Sequence, residues 1–127
     1  MTFNWAEYLS VAQTLCGRSV SGPTPSSEAL QRSAVSRAYY AAFGEARNHL
    51  RDSDGVITPA THNIHRMAAG IFLDSPDERR VRIGTNLRRL RDARNECDYD
   101  DEVSDLPQVA QDSIEQAAQI LTILPKL

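Results

Sequence analysis

Cysteine is scarce in this sequence: Cys16 and Cys97 are its two, far apart and without a CxxC partner. That spacing argues against a zinc knuckle and for reduced thiols. Long hydrophobic runs are missing too, none approaching the roughly 20 residues of a membrane span. The first ten residues, MTFNWAEYLS, put an acid and aromatics where a secretory signal has basic and then apolar residues. A soluble, cytoplasmic protein without membrane contact is expected. No segment alternates polar and apolar with period two, so no strand is assigned. Repeats and low-complexity tracts are absent. So are a phosphate-cradling glycine loop, a nucleophile elbow and an HExxH pair. The serines and cysteines have no base at an informative spacing.

What is there is the balance of a globular protein: 41% hydrophobic and 24% charged residues in a chain of 127. One domain over residues 1–127 has enough length for a core of its own. The net charge of −3 and pI of about 5.5 disfavour a general nucleic-acid coat and leave room for a local basic patch.

Three- and four-residue apolar steps run along the whole chain. Trp5, Tyr8, Leu9, Ala12, Leu15 and Cys16 predict a first helix over 3–17. Gly17 and SVSGPTPSS break it, leaving a loop over about 17–25. A second, long helix over 26–51 carries the stripe Val35, Tyr39, Ala42, Phe43, Ala46 and Leu50. A third, short one carries Ile64, Met67, Ala68 and Ile71, with Thr58 or Thr61 as its cap. The fourth opens at SPDE, with Ser75 capping, Pro76 in the first turn and two acids against the positive end of the dipole, and runs to Tyr99. After the acidic loop a fifth helix buries Leu106, Ala110, Ile114, Ala117, Leu121 and Leu124. An all-α, antiparallel bundle of four or five helices follows.

The fourth helix raises the sharpest question. Ile83, Leu87, Leu90, Arg94 and Cys97 recur at steps of four, three, four and three, so Arg94 interrupts an apolar stripe. Arg88, Arg89, Asp92 and Glu96 fall on the opposite, solvated face. An arginine is almost never buried unless paired, because its guanidinium loses several kcal/mol of hydration. Arg94 can pack its stem and extend its head to water. It can be held by Asp98 one turn on. Or it can line a cleft or a subunit interface whose ligand or partner supplies negative charge. In the second helix Arg37, Tyr40 and Arg47 lie away from the apolar stripe, a face suited to solvent, to an interface, or to stacking and phosphate contact.

Metal readings are weak. His62 and His65 are three apart on one face of the third helix, but no further zinc ligand is near in sequence. Asp98, Asp100, Asp101, Glu102 and Asp105 lack the glycine and spacing of a calcium loop and read as solvated acids. No metal site and no cofactor is expected.

Taken in order, SRAYYAAFGEARNHL (36–50), THNIH (61–65) and LRDARNECDYDD (90–101) resemble a HEPN domain, closest to its small stand-alone members. The resemblance covers nearly the whole chain. It implies a HEPN-like bundle that dimerises through its Arg-bearing helix, forming a composite cleft. Many members are metal-independent endoribonucleases in which an arginine holds the phosphate and a histidine four to six residues later aids attack by the RNA 2′-OH. Others pair with a small nucleotidyltransferase in toxin–antitoxin or defence systems. Here Arg94 matches the family arginine and Asn95 the polar residue after it. Asp98, Tyr99 and Asp100 occupy the window where the histidine belongs. Tyrosine, with a pKa near 10, is a poor general base at neutral pH. The reading is therefore a non-catalytic interaction module that binds a partner protein, a nucleotide or RNA around Arg94. An endoribonuclease toxin using Arg94 with a different base is the alternative. Arg94 and Tyr99 are the candidates for any chemistry, with Arg37, Tyr40, Arg91, Asn95, Asp98 and His62 around the ligand.

Overall fold

The structure, a computed structural model, describes residues 3–57 and 63–127. Five helices follow one another: α1 (Glu7–Leu15), α2 (Ser27–Asp52), α3 (Ile64–Leu73), α4 (Glu78–Tyr99) and α5 (Leu106–Ile123), with a 3₁₀ turn at Leu124–Lys126. No strand occurs among the described residues. The all-α bundle legible in the periodicity is what forms. No helix among the described residues is long and apolar enough to cross a membrane. His62 and the caps foreseen at Thr58 and Thr61 lie outside the described residues.

Central to the bundle is α2, which packs on α3, α4 and α5 and carries α1 on its side. Ser26 caps it, its hydroxyl oxygen accepting from the Ala29 N–H at 3.2 Å. Tyr39, Ala42, Phe43, Ala46 and Leu50 are buried against Phe72 of α3, Ile83, Leu87 and Leu90 of α4, and Ile120 of α5. Each large apolar side chain so buried contributes roughly 1.5–3 kcal/mol. Val35 packs in a second cluster with Cys97, Leu106 and Ala110. Burial there pushes the Cys97 thiol up to about 11, so it stays a protonated hydrophobe.

Three stripes differ from the expectation. In α1, Leu9 and Leu15 are exposed and Ser10 and Val11 are buried. The helix starts only at Glu7, because the chain before it turns to stack Phe3, Trp5 and Tyr8 edge to face. In α3 the buried line is Ala68, Ala69 and Phe72, with Ile64, Met67 and Ile71 half-buried, which rotates the inner face by one residue. In α5, Ile114 and Leu121 are exposed while Ser113 and Ile120 turn inward, in line with Ala110 and Ala117 at i, i+3 and i+4 spacing. The cap of α4 also shifts: Asp77 accepts from the Arg79 N–H at 2.9 Å, and Ser75 accepts from the Asp77 N–H one step earlier.

The aromatic cluster exists to cover an arginine. Arg32 of α2 is fully buried. Its guanidinium carbon lies 4.3 Å from the Phe3 ring centre and 5.2 Å from that of Trp5. Its nitrogens donate to the carbonyl oxygens of Cys97, Asp100 and Asp101, and to Glu28 one turn back. Those carbonyls sit at and just past the end of α4, where no helical donor follows. Arg32 therefore supplies the C-terminal cap of α4.

One glycine fixes how α3 meets α4. A Cβ at Gly84 would stand 2.7 Å from Leu73 Cγ and 2.9 Å from the Ala69 carbonyl oxygen. The two backbones nearly touch there, and α3 runs back along α4. This pairing brings the start of α3, with His65 and Arg66, alongside Arg91 and Arg94.

Candidate functional site

The interruption at Arg94 is real, because its neighbours Ile83, Leu87, Leu90 and Cys97 are all buried. The Arg94 side chain itself is 12% exposed. Its Nη1 donates to the Tyr40 hydroxyl at 3.1 Å and lies 3.5 Å from the Asp98 carboxylate. The guanidinium also lies 5.4 Å and 5.5 Å from the ring centres of Tyr39 and Tyr40. Its Nε is buried without a partner among the described residues. A buried donor left over in this way costs stability unless an acceptor arrives. Asp98 does hold Arg94, as one of the foreseen outcomes had it, but only with a long, half-shielded contact.

Beside Arg94 sits a histidine that periodicity alone did not single out. His65 lies on the inner line of α3, one turn before Ala68 and Ala69. Its ring stacks on Phe43, with 4.2 Å between centres, and its Nδ1 is 2.5 Å from the Tyr39 hydroxyl. Burial, and then the charges of Arg94, Arg91 and Arg47, hold its pKa below the usual histidine value. The ring is therefore neutral at pH 7. Burial pushes Tyr39 the other way, to about 12. Tyr39 is only 1% exposed, so its hydroxyl proton has no water to go to. Nδ1 is its one partner among the described residues. The phenol therefore donates to Nδ1, which places the imidazole proton on Nε2.

Arg91 links this pocket to a second one. With Arg66, Ala69, Arg88 and Asp92 it lines a cleft of about 430 Å³ between α3 and α4. Its charge bears on both His65 and Tyr39, lowering the pKa of each. The remaining foreseen residues are more scattered. Tyr40 is partly exposed and bridges the two helices through Arg94, so it is no mere solvated residue. Arg37 is exposed, its guanidinium carbon 5.4 Å from the Tyr40 ring centre. Asn95 is half-buried next to Arg94. Tyr99 is 72% exposed. Five residues on from Arg94, it projects about 140° around the helix from it. Among the described residues, no three His, Cys, Asp or Glu side chains converge as a metal site would require.

The signal for His65 was in the sequence: it stands three, four and seven residues before Ala68, Ala69 and Phe72. Reading the α3 stripe from Ile64 hid it by one position.

The site thus gathers Arg91 and Arg94, the His65 ring, Tyr39 and Tyr40, contributed by α4, α3 and α2. The two tyrosines lie in α2's SRAYYAAF run, His65 at the start of α3 and the two arginines in the last half of α4. A family model described as the HEPN domain matches residues 26–127, from the N-cap of α2 through the C-terminus. No curated protein and no solved structure matches the chain. With its site-bearing helices all inside that match, and only α1 outside it, the chain belongs to the HEPN domain family.

Proposed function

We propose that this protein is a non-catalytic HEPN module that binds a phosphate-bearing ligand, RNA or a nucleotide, at Arg94. It acts as a homodimer in which the α4 helices of two copies face each other around that site. Its setting is a toxin–antitoxin or defence system, with a small nucleotidyltransferase as the protein partner. The family is one associated with toxin and defence ribonucleases.

The observation that carries the binding role is the Tyr39 hydroxyl on His65 Nδ1. Cleavage of RNA without a metal needs a base that accepts the 2′-OH proton near neutral pH. With Tyr39 donating to Nδ1, the lone pair of His65 is occupied and its other nitrogen is a donor. Arg94 and Arg91 add only donors. Apart from the Asp98 carboxylate, which is engaged against Arg94, such a site offers only donors, and it is suited to attracting and orienting an anion.

The test is incubation of total cellular RNA with purified protein in EDTA, alongside nucleotide binding by calorimetry. Binding without cleavage, with binding lost in Arg94→Ala, is the expected result. Metal-independent cleavage by the wild type would replace this reading with the second one, an endoribonuclease. One observation favours that alternative: His65 is neutral and lies beside Arg94. If it were the base, His65→Ala would abolish cleavage while Tyr99→Phe left it intact.

A further inference from the structure

We infer that the cleft between α3 and α4, lined by Arg66, Arg88 and Arg91, is a second phosphate subsite continuous with the one at Arg94. Together they form a track for the sugar–phosphate backbone of a single nucleic-acid strand. This inference rests on the phosphate-binding reading and specifies its ligand: a strand with consecutive phosphates instead of a mononucleotide.

The first support is charge without compensation. Among the described residues Arg66, Arg88 and Arg91 make no ion pair, although Asp92 lines the same cleft. Residues 58–62, TPATH, contain no acid that could neutralise them. Elsewhere Arg51 pairs with Asp52, Arg79 with Asp77 and Arg80 with Asp54. Arg18, Arg37, Arg82 and Arg89 also make no ion pair among the described residues, so it is the gathering of three such arginines around one cleft that matters. Three guanidinium groups held around one cavity repel each other until an anion enters, and each offers a planar fork matched to phosphate oxygens.

The second support is rigidity. Ala69 forms part of the cleft wall, and its carbonyl is one of the groups against which Gly84 packs. The walls are therefore two helices in backbone contact, which fixes the positions from which Arg66 and Arg88 reach across. The volume of about 430 Å³ is far more than one ion fills and suits a nucleotide unit.

The third support is continuity. Arg88, Arg91 and Arg94 stand at three-residue intervals along α4, rising about 9 Å and turning about 120° around the helix from first to last, with Arg91 between the other two. Arg91 belongs to the cleft and still acts on His65 and Tyr39 in the first pocket. Anion positions stepped along one helix suit a polymer with evenly spaced charges. Tyr40, partly exposed beside Arg94, adds a ring on which a base can stack.

The experiment uses a fluorescein-labelled oligouridylate of about ten nucleotides, a length within the usual site size for single strands, with AMP as a one-phosphate probe. Full-length wild type, Arg94→Ala and the double variant Arg66→Ala/Arg88→Ala are compared across a salt series. Both cleft residues changed in the double variant are exposed, and a thermal melt verifies that it folds. In the double variant the oligomer should bind at least about tenfold more weakly, with the salt slope reduced by about 0.7 for each phosphate no longer neutralised. AMP binding should be unchanged in the double variant and lost in Arg94→Ala. Oligomer affinity and slope equal to wild type in the double variant would overturn the track and leave the Arg94 reading standing. AMP binding without any oligomer binding by the wild type would do the same. Loss of the dimer in the double variant, with oligomer affinity intact, would reassign the cleft to an acidic protein surface. Failure of the wild type to bind either probe would remove both.

Discussion

Arg32 Nη1 donates to the carbonyl oxygen of Asp100 at 2.7 Å, tying the start of α2 to the end of α4. Two more carbonyls, of Cys97 and Asp101, depend on the same guanidinium. Arg32→Ala leaves them buried without that donor and empties the space beneath Phe3 and Trp5. The expected cost is about 3 kcal/mol or more. That corresponds to a fall in Tm of about 10 °C. Arg32→Lys keeps the charge but offers a point donor in place of a fork, and should fall between the two. A melt of Arg32→Ala within a degree or so of wild type would show that the carbonyls find other donors.

Gly84→Ala should destabilise, although alanine is the better helix former by about 1 kcal/mol. The added methyl would lie 2.9 Å from the Ala69 oxygen and the Leu73 nitrogen, both backbone atoms that cannot swing aside. Overpacking of this kind costs about 1–3 kcal/mol. It also pushes α3 away from α4, so ligand binding should weaken along with stability. A rise in Tm would mean that α3 shifts freely and that its hold on His65 is loose.

The core of α2 was legible in the sequence because six apolar residues recur at helical spacing, and all six are buried. The anomaly at Arg94 was legible for the same reason: a charge on an otherwise apolar line. Arg32 gave the same signal, standing three and seven residues before Val35 and Tyr39, and passed unnoticed. What periodicity cannot give is which of two adjacent lines turns inward on a short helix. That choice in α3 depends on Gly84 letting Ala69 approach, a contact between distant segments. His65 was read only as a weak zinc partner of His62 for this reason, and the hydroxyl on its Nδ1 was not foreseen. Tyr99 was carried over from its place after Arg94, and it stands exposed at the last position of α4.

Two copies meeting at α4 would place Asn95, next to Arg94, close to its own symmetry mate. The expected mass in solution at micromolar concentration is twice the 14.1 kDa of the chain. Asn95→Arg sets like charges against each other across the two-fold axis and should shift the protein to monomer without lowering the Tm of the monomeric fold. A wild-type mass that stays at one chain across that range counts decisively against the dimer.

An arginine kept for its ligand should be dispensable for folding. Arg94→Met retains the stem and its packing while removing a guanidinium that is 12% exposed and has few partners. The change removes an unpartnered Nε but leaves Asp98 without its cation, and because that contact is long and partly exposed the two effects should nearly cancel, to within about 1 kcal/mol. Anion binding should disappear in the same variant. Loss of stability comparable to that of Arg32→Ala would instead make Arg94 a structural residue, and the site would lose its central group.

His65 makes the site sensitive to acid. Its pKa in the folded chain lies below the 6.5 of an unperturbed histidine, through burial first and the charges of Arg94, Arg91 and Arg47 next. Between those two values the unfolded chain holds more protons than the folded one, so stability rises with pH across that window. The contribution is complete above about 6.5 and is lost as pH falls toward the folded value. His65→Gln removes the titration, so its Tm should fall less than that of wild type on acidification from about pH 7.5 to 5.5, a range spanning the ordinary histidine pKa. Nitrogen-15 shifts provide the finer check, since the Tyr39 hydroxyl should hold the wild-type ring with its proton on Nε2. In Tyr39→Phe that hydroxyl is gone, and the signals should move toward a mixture of both tautomers. A wild-type ring carrying its proton on Nδ1 would leave Nε2 free as a base, and the balance would swing from binding to cleavage.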